Sequence, residues 1–283
     1  MKKLGIIAFA LLMQSMFAQT NRFVYQVTMK LDSTNKNDIK TENAYLDISP
    51  EKSLFYSENR IKRDSIMSKA FQSGGARSFN RDQMESLRSN INYTIEKDKK
   101  NQKTSFKDRL GRDTYSYEED RNLDWKILPE TMTIGEYKVQ KAEADFGGRQ
   151  WTAWFTTDLP YQDGPYKFSG LPGLIVKIED SKGDYSFDLM KNYKIAELPD
   201  LTQRGPGNVI KVKRKDFVKQ QEKFQKDPVS FMMQGASISQ PRRSGGNGPG
   251  GPGGGQNQAD MRKRMEERVK EEAKTNNNPI ELQ

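Results

Sequence analysis

The sequence predicts a mainly β protein: an antiparallel meander forming a curved sheet or open half-barrel, with short helices and a disordered C-terminal tail. Three observations carry this. From Phe23 to Leu31 apolar and polar side chains alternate, the period-two pattern of a half-buried strand. Two extended runs, Tyr137 to Phe146 and Arg149 to Thr156, meet at Gly147-Gly148, a pair suited to the positive φ angles of a primed hairpin turn. Short apolar runs separated by polar turns then recur along most of residues 23–193.

The chain opens with a secretory pattern. Lys2 and Lys3 precede an apolar stretch from Leu4 to Met13, and a short segment ends at Phe17-Ala18-Gln19. This predicts a signal peptide over residues 1–18, cut between Ala18 and Gln19, where the peptidase needs a small side chain. The stretch is too short for a membrane-crossing helix, which needs ~20 residues. No cysteine follows the cut, so the expected product is an exported chain, periplasmic or extracellular, soluble and without a lipid anchor.

Residues 19–235 read as one β-rich domain. Phe23, Tyr25, Val27, Met29 and Leu31 share one face of the first strand. Ala44, Leu46 and Ile48 alternate again, and Ser49-Pro50-Glu51-Lys52 turns the chain into Leu54-Phe55-Tyr56, a hairpin. Residues 60–90 form a partly helical, mobile insertion, with Ile66, Met67, Ala70 and Phe71 at helical spacing and Asn80 as a cap for Arg81 to Arg88. Strands resume at Ile91–Ile95, Ser105–Lys107, Tyr115–Tyr117 and Leu123–Leu128. Gly173 to Glu179 and Tyr185 to Tyr193 form a further pair; a short strand at Val209–Val212 and a helix from Arg214 to Lys226 follow. Residues 236–258 are a Gly/Pro-rich linker whose composition cannot repay its ordering entropy. Residues 259–283 are a charged tail, at most transiently helical, suited to a tether or partner contact.

Composition removes whole classes of chemistry. The chain has no cysteine and no histidine. Ser-His-Asp and Cys-His triads, zinc fingers and histidine proton shuttles are therefore excluded, and hydrolysis would rest on carboxylates, Lys, Tyr or Ser-Lys. The formal charge is +9, with basic clusters at Lys97, Lys99, Lys100 and Lys103 and at Lys211, Lys213, Arg214 and Lys215. In an exported chain these fit a solvated surface, or an anionic envelope lipid, glycolipid or acidic envelope protein, and not nucleic acid. No later stretch is apolar enough to span a bilayer, and no cofactor is expected.

The most distinctive stretch is Gly164-Pro165-Tyr166-Lys167-Phe168-Ser169-Gly170-Leu171-Pro172-Gly173-Leu174-Ile175, whose last six residues spell GLPGLI. With Trp125-Lys126-Ile127, Ile134 to Ala142, Gly148-Arg149 and Ala153-Trp154-Phe155, it resembles the GLPGLI family (Porph_ging) of exported Bacteroidetes proteins. The resemblance is close over residues 125–180 and looser over 23–193. It departs at Val139, where relatives often carry cysteine. It implies export and fold, with no established activity. Pro172-Gly173 suits a type II turn with positive φ at Gly173, and Leu171 and Leu174 anchor its ends. Two readings stand: the hexapeptide is a folding corner, or Trp151, Trp154, Tyr161, Tyr166 and Phe168 beside it line an apolar ligand site.

Weaker candidates remain. Glu118-Glu119-Asp120 matches no calcium loop and reads as an acidic turn. Asn92-Tyr93-Thr94 is formally a glycosylation sequon. Asp163, Asp180, Asp184 and Asp188 have no spacing that selects a catalytic pair. The functional expectation is a non-enzymatic envelope protein that binds an apolar ligand or an envelope partner. In architecture it resembles periplasmic carriers with a concave sheet. A carboxylate-dependent hydrolase and a structural interaction protein stand as alternatives.

Overall fold

A computed structural model of the protein describes residues 19–72, 81–111, 113–201, 208–227, 230–231, 260, 263–264, 266–267, 271 and 274–282. The signal peptide, the Asn80 cap and the Gly/Pro-rich linker lie outside them, as does much of residues 259–275.

Twelve strands form one open, mixed sheet in the order β12-β6-β5-β4-β3-β2-β1-β11-β10-β9-β8-β7. The expected mainly β, antiparallel, open architecture holds, but its topology is two meanders. β1 (Thr20–Met29), β2 (Lys40–Ile48), β3 (Lys52–Ser57), β4 (Thr94–Asp98), β5 (Lys103–Leu110) and β6 (Asp113–Glu118) form the first. β7 (Lys126–Ile134), β8 (Tyr137–Phe146), β9 (Arg149–Thr156), β10 (Leu174–Asp180) and β11 (Tyr185–Ile195) form the second. Antiparallel pairing of β1 with β11, from Thr20↔Ile195 to Met29↔Tyr185, joins them. The short β12 (Val209–Lys211) runs parallel to β6 and makes the sheet mixed.

Alternation on β1 decides which face is inside. Phe23, Tyr25, Val27 and Met29 enter the main core, as the spacing predicts. Val24 points the other way, into a small outer cluster with Tyr45, Leu54 and Tyr56. Helix α1 (Glu58–Gln72) covers that outer cluster with Ile61, and Leu198 and Leu201 add to it. A short helix α2 (Arg81–Ser86) follows, and α3 (Arg214–Lys226) sets Phe217 against Phe106 and Tyr117 on the inner face, with ring centroids 5.3 and 5.1 Å apart.

Three irregularities bend the ladder. Lys191 pairs with Val24 and Leu189 with Tyr25, which leaves Met190 as an extra, exposed residue on β11. A second shift lies between Ile175 and Lys177 on β10. The third falls between Ile127 and Thr131 on the edge strand β7, around Pro129, which has no N–H to offer a ladder. That strand starts three residues later than predicted and runs to Ile134. The Gly147-Gly148 turn has φ of 60° and 75°, both positive, as a primed hairpin requires.

Candidate functional site

The loop between β9 and β10, residues 157–173, folds onto the inner face and carries the GLPGLI motif at its end. Its centre is Phe168, fully buried, with ring centroids 4.7 Å from Trp151, 5.8 Å from Tyr166, 6.0 Å from Phe146 and 6.3 Å from Phe187. Tyr166 carries the contact on to Tyr93, which stacks on Phe106. Of the five aromatics proposed as a ligand lining, Trp151, Tyr166 and Phe168 are thus packed into one another as core. Tyr161 is half-buried against Phe23, and Trp154 lies on the opposite face of β9 from Trp151. The structure does not bring the five together around a space.

The turn chemistry also differs from expectation. Gly173 has no positive φ; its N–H donates to Leu171 O at 2.8 Å, an i to i+2 turn centred on Pro172. Glycine is required for another reason. A Cβ at this position would lie 2.0 Å from the Thr156 carbonyl oxygen, because the chain passes directly over the end of β9. Leu171, Leu174 and Ile175 are buried, and Gly164 packs so closely on Ile175 that a Cβ would meet it at 2.7 Å. Pro165 is buried beside it, while Pro172 and Gly170 are exposed. Tyr166 takes φ of 53°, a left-handed conformation costly for a bulky residue, held by its buried ring and its hydroxyl bond to Glu281.

Three buried cations fix this loop and the rim around it; the sequence sets Lys97 in a basic cluster and Lys167 and Arg149 in the family stretch, and gives none of them a buried role. Lys97 Nζ donates to Asp163 Oδ1 at 2.6 Å, Gly164 O at 2.7 Å and Phe168 O at 2.8 Å, filling its three donor positions from within the loop. Burial holds its amine below the ordinary lysine range, against the opposing pull of Asp163. Of the basic cluster at 97–103, Lys97 is core, while Lys99, Lys100 and Lys103 stay on the surface, Lys103 in an exposed pair with Glu118.

Lys167 is the second, with a side chain 1% exposed. Its Nζ donates to Glu119 Oε2 at 2.7 Å, Tyr117 Oη at 2.8 Å and Glu281 Oε1 at 2.5 Å. It also lies 5.0–5.9 Å from the ring centres of Tyr117, Phe106, Tyr166 and Phe146, an aromatic cage for an ammonium. Burial pushes the Glu119 carboxyl up, but Arg121 and Lys167 outweigh it and hold it at about 2. The acidic turn is thus neutralised by the chain itself: Glu118 pairs with Lys103, Glu119 with Lys167 and Arg121, and Asp120 with Arg214.

Arg149 is the third, with a side chain 2% exposed. Nη1 reaches Asp180 Oδ2 at 2.7 Å and Asp184 Oδ2 at 3.4 Å, so two of the four sequence candidates do meet, across a guanidinium. Asp180 Oδ1 also accepts the Asp184 and Tyr185 N–H groups, which closes the β10–β11 turn. Asp163 pairs with Lys97 and Asp188 with Lys177. Among the described residues, no group of three or more acidic side chains is placed to hold a metal ion. An open depression lies along the β8–β9 turn, lined by Asp145, Phe146, Gly147, Gly148, Arg149 and Gln150.

The charged tail reads differently in its last residues. Residues 276–282 lie against this rim, and Asn278 is 6% exposed. A polar, repeat-rich sequence such as Asn276-Asn277-Asn278-Pro279 carries no hydrophobic pattern to announce docking, and its partners are hydrogen-bonding groups. The remaining unexpected group is Asp108, on the inward-facing side of β5 with Phe106 and Leu110; burial pushes its carboxyl up to about 6.

Comparisons with known proteins bear on family and fold. The family described as "Protein of unknown function (Porph_ging)" matches residues 147–177, which include the GLPGLI stretch, so the resemblance drawn from the motif holds. None of the curated proteins matches the chain. Two crystal structures of PNGF-II, in space groups P21 and C2, are 18% identical with TM-scores of 0.51 and 0.53. They cover 72% and 74% of this chain but only 33% and 34% of their own, so the chain spans about a third of their length. A putative outer membrane lipoprotein-sorting protein domain from Vibrio parahaemolyticus is 7% identical with a TM-score of 0.26, over 69% of this chain and 93% of that one. The PNGF-II likeness is one of fold, and nothing about this chain rests on the Vibrio domain.

Proposed function

We propose that this chain, whose residues 147–177 carry the core of a GLPGLI-type family, is an exported envelope protein that binds a partner protein without catalysis. Export is supported by the N-terminal secretory pattern. No helix among the described residues is long and apolar enough to cross a membrane. The observation that carries the reading is the filled inner face. Phe168 and its neighbours occupy the position an apolar ligand would take in a concave sheet, and Lys97, Lys167 and Arg149 each have carboxylate partners. A lipid carrier would have to swing the whole 157–173 loop away. Among the described residues, the four aspartates a carboxylate-dependent hydrolase would draw on, Asp163, Asp180, Asp184 and Asp188, are each engaged by a lysine or arginine.

What faces solvent suits a partner. Ile127 and Met132 on the edge strand β7, and Met190 and Tyr193 on β11, are large apolar side chains about half exposed. Among the described residues β7 pairs on one side only, with β8, and its outer edge suits pairing with another chain. Native mass spectrometry of protein purified from its own envelope fraction tests the reading. The expected result is a co-purifying protein at fixed stoichiometry. A homogeneous ligand-free monomer that binds nothing in an envelope extract overturns it, and stoichiometric lipid without protein replaces it with the carrier.

A further inference from the structure

Residues 277–282 occupy a built site. Asn278 N–H donates to Leu31 O at 2.9 Å and its Nδ2 to Lys30 O at 2.7 Å. Its Oδ1 accepts from Arg149 Nη2 at 2.6 Å and its carbonyl from the Tyr185 hydroxyl at 2.6 Å. Arg149 also donates to the Pro279 carbonyl at 2.8 Å and the Ile280 carbonyl at 3.0 Å. Glu281 then spans Lys167 at 2.5 Å, Arg121 at 2.7 Å and the Tyr166 hydroxyl at 2.5 Å. Leu282 N–H closes on Gly147 O at 2.6 Å. The turn is cut to fit a backbone: a Cβ on Gly147 would meet Glu281 at 2.9 Å, and one on Gly148 would meet Leu282 O at 2.4 Å.

These contacts are of the kind that recognise a ligand. The receiving groups keep their own counter-charges. Without residues 276–282, Lys167 still has Glu119 and Tyr117, and Arg149 still has Asp180 and Asp184. The segment adds a second set of partners to cations the β-domain has already neutralised. Its recognition is of main-chain carbonyls, one amide side chain and one carboxylate, which defines a peptide and not a lipid or a nucleotide.

We propose that the rim formed by Gly147, Gly148, Arg149, Lys167 and Arg121 is a recognition site for an extended acidic peptide. Its chemistry is an Asn-Pro turn followed two residues later by a carboxylate. In the resting chain, residues 277–282 hold it in cis. An external segment of the same kind must displace them, so the tail competes with a partner at the effective concentration its tether sets. This deepens the partner-binding reading by naming the class of segment the partner presents.

The test uses the folded mature chain with a protease site inserted between Gly245 and Gly255. After folding, the site is cut, and a fluorescein-labelled peptide, Thr-Asn-Asn-Asn-Pro-Ile-Glu-Leu-Gln, is titrated in while anisotropy is followed. The cut protein is expected to exchange its own fragment for the labelled peptide. The uncut protein should bind it at least tenfold more weakly, and a peptide carrying Glu281→Gln should bind the cut protein at least tenfold more weakly. The proposal fails if the cut protein excludes the peptide or loses its folded circular-dichroism signal, because the segment is then a fixed part of the fold. It fails equally if cut and uncut protein, or the two peptides, bind alike. Light scattering of the uncut chain separates the sources: a concentration-dependent dimer that the peptide dissolves assigns the ligand to a second copy, and a monomer assigns it to a different partner. No envelope partner is present in these measurements, so their failure leaves the broader reading to its own experiment.

Discussion

Asp108 is where burial and charge conflict most plainly at the scale of one residue. Its carboxyl ionises at about 6 in the folded chain, against 3.8 for a free aspartate. The folded state therefore takes up a proton before the unfolded state does as pH falls. Above pH 6 the charge is a burden on the fold, and below about 4 both states are protonated and the burden vanishes. Asp108→Asn removes the charge and keeps the shape. It should raise stability at pH 7.5 by on the order of 1 kcal/mol, the gap of roughly two pK units being discounted because Asp108 is only half-buried, and leave it unchanged at pH 3.5; denaturant midpoints at the two values check this. Asp108 is one of many acidic residues in the sequence, and nothing in its neighbours marks it. Lys97 reads as part of a basic cluster and Lys167 and Arg149 as residues of the family stretch, and none of the three announces its burial. A lysine beside aromatic residues reads as surface until the fold shows which cation the rings enclose.

At the scale of elements, strands are legible because their cause is local. The β8–β9 hairpin follows from two alternating runs and a Gly-Gly pair, and both bounds match the expectation. β1 is equally legible because one face holds Phe23, Tyr25, Val27 and Met29. The 157–173 loop is not, since its conformation comes from distant bonds: Lys97 on β4, Trp125 Nε1 donating to Ser169 O, and the Tyr25 hydroxyl donating to Ile175 O. Local turn chemistry therefore misplaces the role of Gly173, whose small size answers to Thr156 and not to its own φ. The loop also decides between the two readings of the aromatics. If Phe168 is the packed centre of the core, Phe168→Ala should cost about 3–5 kcal/mol. A thermal melt well below that of the parent is the expected outcome. A near-parental melt with altered uptake of an apolar dye would return Phe168 to a ligand site.

Over the whole molecule, the two meanders share one inner core, and its rim is held by ion pairs. This gives the fold a direction in pH. Glu119 is held at about 2, and Glu281 and Asp184 are held below their ordinary values: burial pushes each up, and the paired Lys and Arg side chains more than reverse it. A carboxyl depressed in the folded state contributes its stability in full above its unfolded pKa. The contribution is lost as pH falls from there through the folded value. For Glu119 the window runs from about 4.5 down to about 2, and Glu281 and Asp184 lose their contributions in the same direction, below their unfolded values. Asp108 acts the other way between about 6 and 4, so stability should peak near pH 5 and fall steeply below 4. Self-repulsion sharpens the fall, because the chain already carries +9 at pH 7 and loses anions as it acidifies. Glu281→Gln separates the rim from the rest. At pH 7 the variant should melt below the parent, and the difference should shrink as pH falls through the window, since the parent loses the same charge. A constant difference from pH 7 to pH 2.5 would mean that Glu281 contributes shape alone, and that the ion pair with Lys167 and Arg121 does not hold residues 276–282 on the sheet.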